Sequence, residues 1–155
     1  MITSNRCWLK DTCKKYNDLS KECDCRYNDT FCIKLFKLDI LYEKSLLTEN
    51  QRKRVKFVLD ANKSDREEYI KLQEIENNIE EFVSEGHNLY IHSYITGNGK
   101  TAWSIRMIQS YFNKIWYKSD MECKALFINV PKFLLSIKDN ISSKNEYVEY
   151  IKNNV

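Results

Sequence analysis

The sequence predicts an α/β unit with parallel strands, preceded by a small cysteine-rich module and a helical linker. Three observations carry this. Five of the six cysteines, Cys7, Cys13, Cys23, Cys25 and Cys32, fall in the first 32 of the 155 residues. A long three- and four-residue apolar stripe follows in the middle of the chain. In the second half, β-prone and helix-periodic segments alternate, the pattern of strand–helix–strand–helix units.

The first segment, residues 6–25, is rich in Lys and Asp and nearly lacks aliphatic residues. Burial alone cannot fold it, so it needs a staple. Cys7, Cys13, Cys23 and Cys25 give the spacing C-x5-C-x9-C-x-C. Four thiolates suit tetrahedral Zn²⁺, and clustered cysteines in a reducing compartment read first as a metal site. The spacing is not that of a common zinc ribbon or finger, so free thiols remain the competing reading. Tyr27, Phe31, Ile33, Leu35, Phe36 and Leu38 suggest a short helix over residues 26–38, with Cys32 as a small core residue or reserve ligand. Residues 1–47 are assigned to this module.

Residues 48–86 form the linker. Its first part carries Arg52-Lys53-Arg54 and Lys56, which could touch nucleic-acid phosphate. With no aromatic residue interleaved, a solvated charge run is the preferred reading. Ser64-Asp65-Arg66-Glu67 matches a capping box. Behind it Tyr69, Leu72, Ile75, Ile79, Phe82 and Val83 place one apolar stripe on a helix of about twenty residues, which Gly86 ends as a C′ glycine.

Residues 87–155 hold the third region. Residues 88–93 form a β-prone run. Gly97-Asn98-Gly99-Lys100-Thr101 then opens a helix bearing Trp103, Ile105, Met107, Ile108, Tyr111, Phe112, Ile115 and Trp116. The aromatic members could stack bases, but helical spacing favours a core role. Residues 124–130 read as a buried strand, Pro131 suits the first turn of a further helix, and a last helix covers residues 144–152. Cys123 precedes a strand and reads as structural; His87 and His92 read as satisfied or exposed.

The glycine-rich loop is the most informative piece. Phosphate oxygens need converging donors; glycines let backbone N–H groups close around them, and the helix N-terminus adds partial positive charge. Lys100 is expected to reach the β- and γ-phosphates of ATP, and the Thr101 hydroxyl to hold Mg²⁺. The full phosphate-loop pattern has a glycine six residues before the lysine, where this sequence has Tyr94.

Taken with the flanking residues, the chain resembles phage-encoded replicative helicase loaders of the DnaC/DnaI type, members of the AAA+ P-loop ATPases. The likeness runs from Asn88-Leu89-Tyr90-Ile91-His92-Ser93 through the loop to Ala102-Trp103-Ser104-Ile105. It continues through Tyr111-Phe112-Asn113 and Ile115-Trp116 to Leu126-Phe127-Ile128-Asn129-Val130-Pro131-Lys132-Phe133-Leu134-Leu135. Cys7-Trp8, Cys13 and Cys25-Arg26-Tyr27 resemble the zinc-binding region that precedes the ATPase in that family.

The resemblance implies that Gly97, Asn98, Gly99, Lys100 and Thr101 bind ATP and magnesium. It implies an ATPase that delivers a ring helicase to single-stranded DNA, with the zinc region on the helicase and a homo-oligomer of the full-length protein. It also implies an acidic Walker B strand soon after the position of Val155, and none is present in the sequence. The expectation is therefore a fragment or truncated product with no catalytic carboxylate of its own, whose AAA+ core is partial. In such a core the strands at residues 88–93 and 124–130 would not pair with each other. A non-catalytic adaptor, binding the helicase through its zinc module with the loop as scaffold, is the alternative.

Composition bounds these readings. Net charge is +3, and the pI of about 8.4 is too mild to imply a polyanion partner by itself. Three glycines and one proline exclude collagen-like sequence. Mean hydropathy is −0.59, no apolar run approaches the roughly 18 residues that span a bilayer, and the N-terminus has no apolar signal core. The expected location is the cytoplasm.

Overall fold

The computed structural model describes residues 29–53, 66–120, 122, 124–139 and 145–154. Cys7, Cys13, Cys23, Cys25, Cys123, Ser64, Asp65, Arg54 and Lys56 lie outside the described residues. The chain divides into two compact units, Met1–Lys37 and Leu38–Val155. Of the first, the described part is the opening of helix α1.

Helix α1 covers Asp29–Lys44, six residues beyond the expected end. Leu38 and Leu41 explain the extension: both are buried in a cluster with Phe112 and Ile115, against which Tyr42 also packs. Buried Ser45 closes the helix, donating its hydroxyl to Tyr42 O at 2.8 Å, and Leu46 turns the chain at φ 64°.

Helix α2 is the single turn Glu49–Arg52. Thr48 and Gln51 form a capping box around it: the Thr48 N–H donates to Gln51 Oε1 at 2.9 Å, and Gln51 N–H donates to Thr48 Oγ1 at 3.4 Å. That turn lies in the segment read from sequence as linker.

The expected twenty-residue helix is two helices, α3 (Arg66–Asn77) and α4 (Ile79–Ser84). The break is at Asn78, with φ −110° and ψ 24°. Its N–H is shared between Glu74 O and Ile75 O, both at 3.1 Å. Two consecutive asparagines, weak helix formers, occupy the junction. The apolar stripe survives the break: Tyr69, Leu72, Ile75 and Phe82 all pack around Ile79, Trp103 and Met107, while Val83 is exposed. Gly86, at φ 73°, ends α4 in a Schellman arrangement. Its N–H donates to Val83 O, and that of His87 to Phe82 O, both at 3.1 Å.

Helix α5, Lys100–Ile115, is the centre of the second unit. Trp103 and Met107 face α3 and α4, and Phe112 and Ile115 face the end of α1. The aromatic residues of α5 are thus core, as their spacing suggests. Buried Gln109 donates to Gln51 O at 3.0 Å, tying α2 to α5. Helices α6 (Val130–Asp139) and α7 (Glu146–Asn154) complete the unit. Asn129 caps α6, its Oδ1 accepting Lys132 N–H at 3.0 Å. Asn145 caps α7, its Oδ1 accepting Tyr147 N–H at 3.0 Å.

Among the described residues neither 88–93 nor 124–129 is in a strand. A strand needs a neighbour to take its N–H and C=O groups. The second segment finds one partner of another kind, with Phe127 N–H donating to Ser45 O at 2.8 Å. Helix α6 keeps Val130, Leu134 and Leu135 exposed.

Candidate phosphate-binding loop

The loop is built at the N-terminal end of α5. Gly97 and Gly99 have φ of 83° and 89°, the left-handed region where a Cβ is strained. Gly99 is the cap residue of α5, and its carbonyl accepts the first helical hydrogen bond from Trp103 N–H at 2.8 Å. The N–H groups of Lys100, Thr101 and Ala102 therefore stand in the first turn, outside the intrahelical ladder. No acidic residue occupies that turn, so the partial positive charge of the helix end is uncompensated there.

The Lys100 ammonium folds back onto the loop. It donates to Ile95 O at 2.8 Å, Asn98 Oδ1 at 3.0 Å and Ser93 O at 3.3 Å. One side chain thereby cross-links residues 93, 95 and 98. Thr101 is exposed, and Ser104 Oγ donates to Lys100 O at 3.2 Å. The five residues singled out from the sequence are consecutive, with the glycines at positive φ and the Lys100 ammonium beside them on the loop oxygens. This donor set suits an anion with several oxygens.

Tyr94 occupies the position of the first glycine in the full pattern. Leu46 is the only non-glycine with positive φ among the described residues, so the backbone at Tyr94 makes no demand for glycine. Its side chain is 99% exposed.

The chain was compared with protein-family models, with curated proteins and with solved structures, and nothing matched in any of the three.

The other expected ligands divide between the described and undescribed parts. The four cysteines of the zinc reading are outside the described residues. Among the described residues no group of three or more His, Cys, Asp or Glu is gathered for a metal, and no helix is long and apolar enough to cross a membrane. His87 is exposed, with Nε2 2.8 Å from Glu85 Oε2 and its ring 5.3 Å from that of Phe82. His92 stands exposed between Tyr90 and Tyr94.

Two features escaped the sequence reading. The aromatic set Tyr90, His92 and Tyr94 carries a signal, the alternation Tyr-x-His-x-Tyr. The second is a polar cleft of about 420 Å³ lined by Tyr42, Arg52, Glu76, Arg106, Gln109 and Lys114, among others. The Glu76 carboxylate holds Arg106 Nε at 2.7 Å and accepts Ser110 Oγ at 2.7 Å. That contact raises the Arg106 guanidinium above its ordinary value. Arg106 also lies over the Trp103 ring, 5.2 Å from its centroid. Lys114 donates to Asn77 O. Glu76 and Arg106 are thirty residues apart, a separation at which no local pattern announces a pair.

Proposed function

We propose that this chain is an ATP-binding protein of the replicative helicase-loader type, in which Gly97, Asn98, Gly99, Lys100 and Thr101 take the nucleotide phosphates. The observation that supports it is the loop: left-handed glycines, a sixteen-residue helix opening behind them, and a lysine ammonium held over the loop oxygens. An incoming triphosphate would offer that ammonium stronger acceptors than carbonyl oxygens, because both partners would then be charged. Thr101 would hold magnesium. Bound ATP supplies the negative charge that these donors neutralise.

In this reading the residues bind and orient the nucleotide. Hydrolysis needs acidic groups to position metal and water, and the 155-residue sequence holds no apolar run ending in an acidic pair. A partner polypeptide or a continuation of the chain would supply them. Nucleotide state would govern delivery of a ring helicase to single-stranded DNA, in the cytoplasm of a bacterial or phage-infected cell. The cysteine module, with Zn²⁺ on Cys7, Cys13, Cys23 and Cys25, would contact that helicase.

Titration calorimetry with ATP and Mg²⁺ tests the loop. Lys100→Ala should weaken binding by about ten- to a hundred-fold, the range for losing one hydrogen bond to a charged group. Unchanged binding would overturn the assignment. Metal analysis of the purified chain should find zinc near one equivalent, and a metal-free chain would remove the cysteine assignment.

The adaptor alternative has one observation in its favour. The Lys100 ammonium already has three oxygen partners within the loop, as a self-closed scaffold would require. Helicase capture by a chain that binds no ATP would decide for it.

A further inference from the structure

We propose that Tyr90, His92 and Tyr94 form a stacking platform for the base of the nucleotide whose phosphates the loop takes. This rests on the phosphate reading above and adds the part of the ligand that the loop itself does not recognise.

The three rings form one ladder. Tyr90 and His92 are stacked, with centroids 5.5 Å apart and planes 23° apart. His92 meets Tyr94 edge-on at 6.4 Å. All three are exposed, Tyr90 at 85% and Tyr94 at 99%. Burial alternates along this segment. Ile91 packs against the cluster of Ile79, Trp103 and Met107, and Ser93 is half-buried. Anchoring positions 91 and 93 turns 90, 92 and 94 outward onto one face, as in a stretch with a two-residue period.

The ladder also adjoins the phosphate-binding cation. The Lys100 ammonium sits on the carbonyls of Ser93 and Ile95, at 3.3 and 2.8 Å. These are the two residues flanking Tyr94, so the last ring of the ladder springs from the backbone that seats the ammonium. A nucleotide has the same order of parts: charged phosphates, then a sugar, then a flat π-system. Large exposed aromatic rings contribute nothing to a core, whereas a base laid on them gains the stacking that makes aromatic platforms bind any base.

The test uses two probes on the intact chain by calorimetry: ATP with Mg²⁺, and inorganic tripolyphosphate with Mg²⁺, which has the phosphates but no base. Wild type should bind ATP about ten-fold tighter than tripolyphosphate, the size of one stacked base. Tyr94→Ala, and the triple change Tyr90→Ala, His92→Ala, Tyr94→Ala, should bring ATP down to the tripolyphosphate level and leave tripolyphosphate unchanged. Tyr94→Phe should retain the preference. If the alanine variants bind ATP as wild type does, the platform is overturned and the phosphate reading stands. If wild type binds neither probe, the phosphate reading falls and the platform with it. If the alanine variants lose binding to an oligothymidylate but not to ATP, the rings belong to a nucleic-acid strand and the proposal is overturned.

Discussion

At its first turn α5 presents Lys100 and Thr101 beside an exposed glycine loop. Three turns later the same helix carries Phe112 at 0% exposure, enclosed by Leu38, Leu41 and Ile115. Both ends are regular helix. They differ in what surrounds them: Lys100 and Thr101 meet loop backbone and solvent, and the last turn meets apolar side chains from another helix. A ligand at the first turn would be bound with backbone groups and one cation that the core does not use. Packing at the far end holds the helix in place while the near end stays available.

The comparison breaks most visibly at Phe112. Phe112→Ala should cost about 3–5 kcal/mol, because it deletes a fully buried ring in contact with both Tyr42 and Tyr111. Urea unfolding should show the midpoint fall sharply, and a small shift would mean that the far end of α5 is not core. The near end should respond in the opposite manner. Lys100→Ala should leave the urea midpoint close to wild type, since its contacts are within an exposed loop, while nucleotide affinity drops as stated above. A large stability loss would show that the lysine is structural and that the two ends are not separable.

Tyr42 sharpens the contrast by the smallest effect. Burial raises its pKa above the ordinary 10.0, opposed in part by a hydrogen bond with Asn113, with Asp39 adding to the rise. Below pH 10 the phenol is protonated in both folded and unfolded chains. Above that, the unfolded chain releases the proton first, so stability falls as pH rises through the folded value. Thermal unfolding between pH 9 and pH 11 should therefore show a steeper alkaline loss for wild type than for Tyr42→Phe. Equal slopes would remove this phenol from the buried end.

Much of the loop end was legible because its determinants are local. Glycines at positions 97 and 99, followed by a lysine and a helix-periodic run, specify a left-handed turn and a cap within five residues. Gly86 was legible for the same reason. The burial of Trp103 and Phe112 followed from helical spacing, which says which face is apolar without saying what covers it.

Other features depended on distant partners or on competition between local signals. The break at Asn78 was hidden because the apolar stripe continues through it. The cap at Asn129 was missed because the apolar run before Val130 reads as a strand, and one asparagine does not outweigh it. Residues 88–93 have strand composition, but pairing is a property of two segments, and among the described residues neither this run nor 124–129 has a ladder partner.

By itself, then, the sequence determined the apolar stripes of α3, α4 and α5, the glycine turns at Gly86, Gly97 and Gly99 and the start of α5, because each rests on contacts within about one helical turn. Tertiary structure decided the length of α1, the Glu76–Arg106 pair and the outward face of Tyr90, His92 and Tyr94. The first depends on Phe112 and Ile115, the second on side chains thirty residues apart, and the third on Ile91 reaching the core. Each is a choice made by a partner far along the chain, which local propensity cannot express.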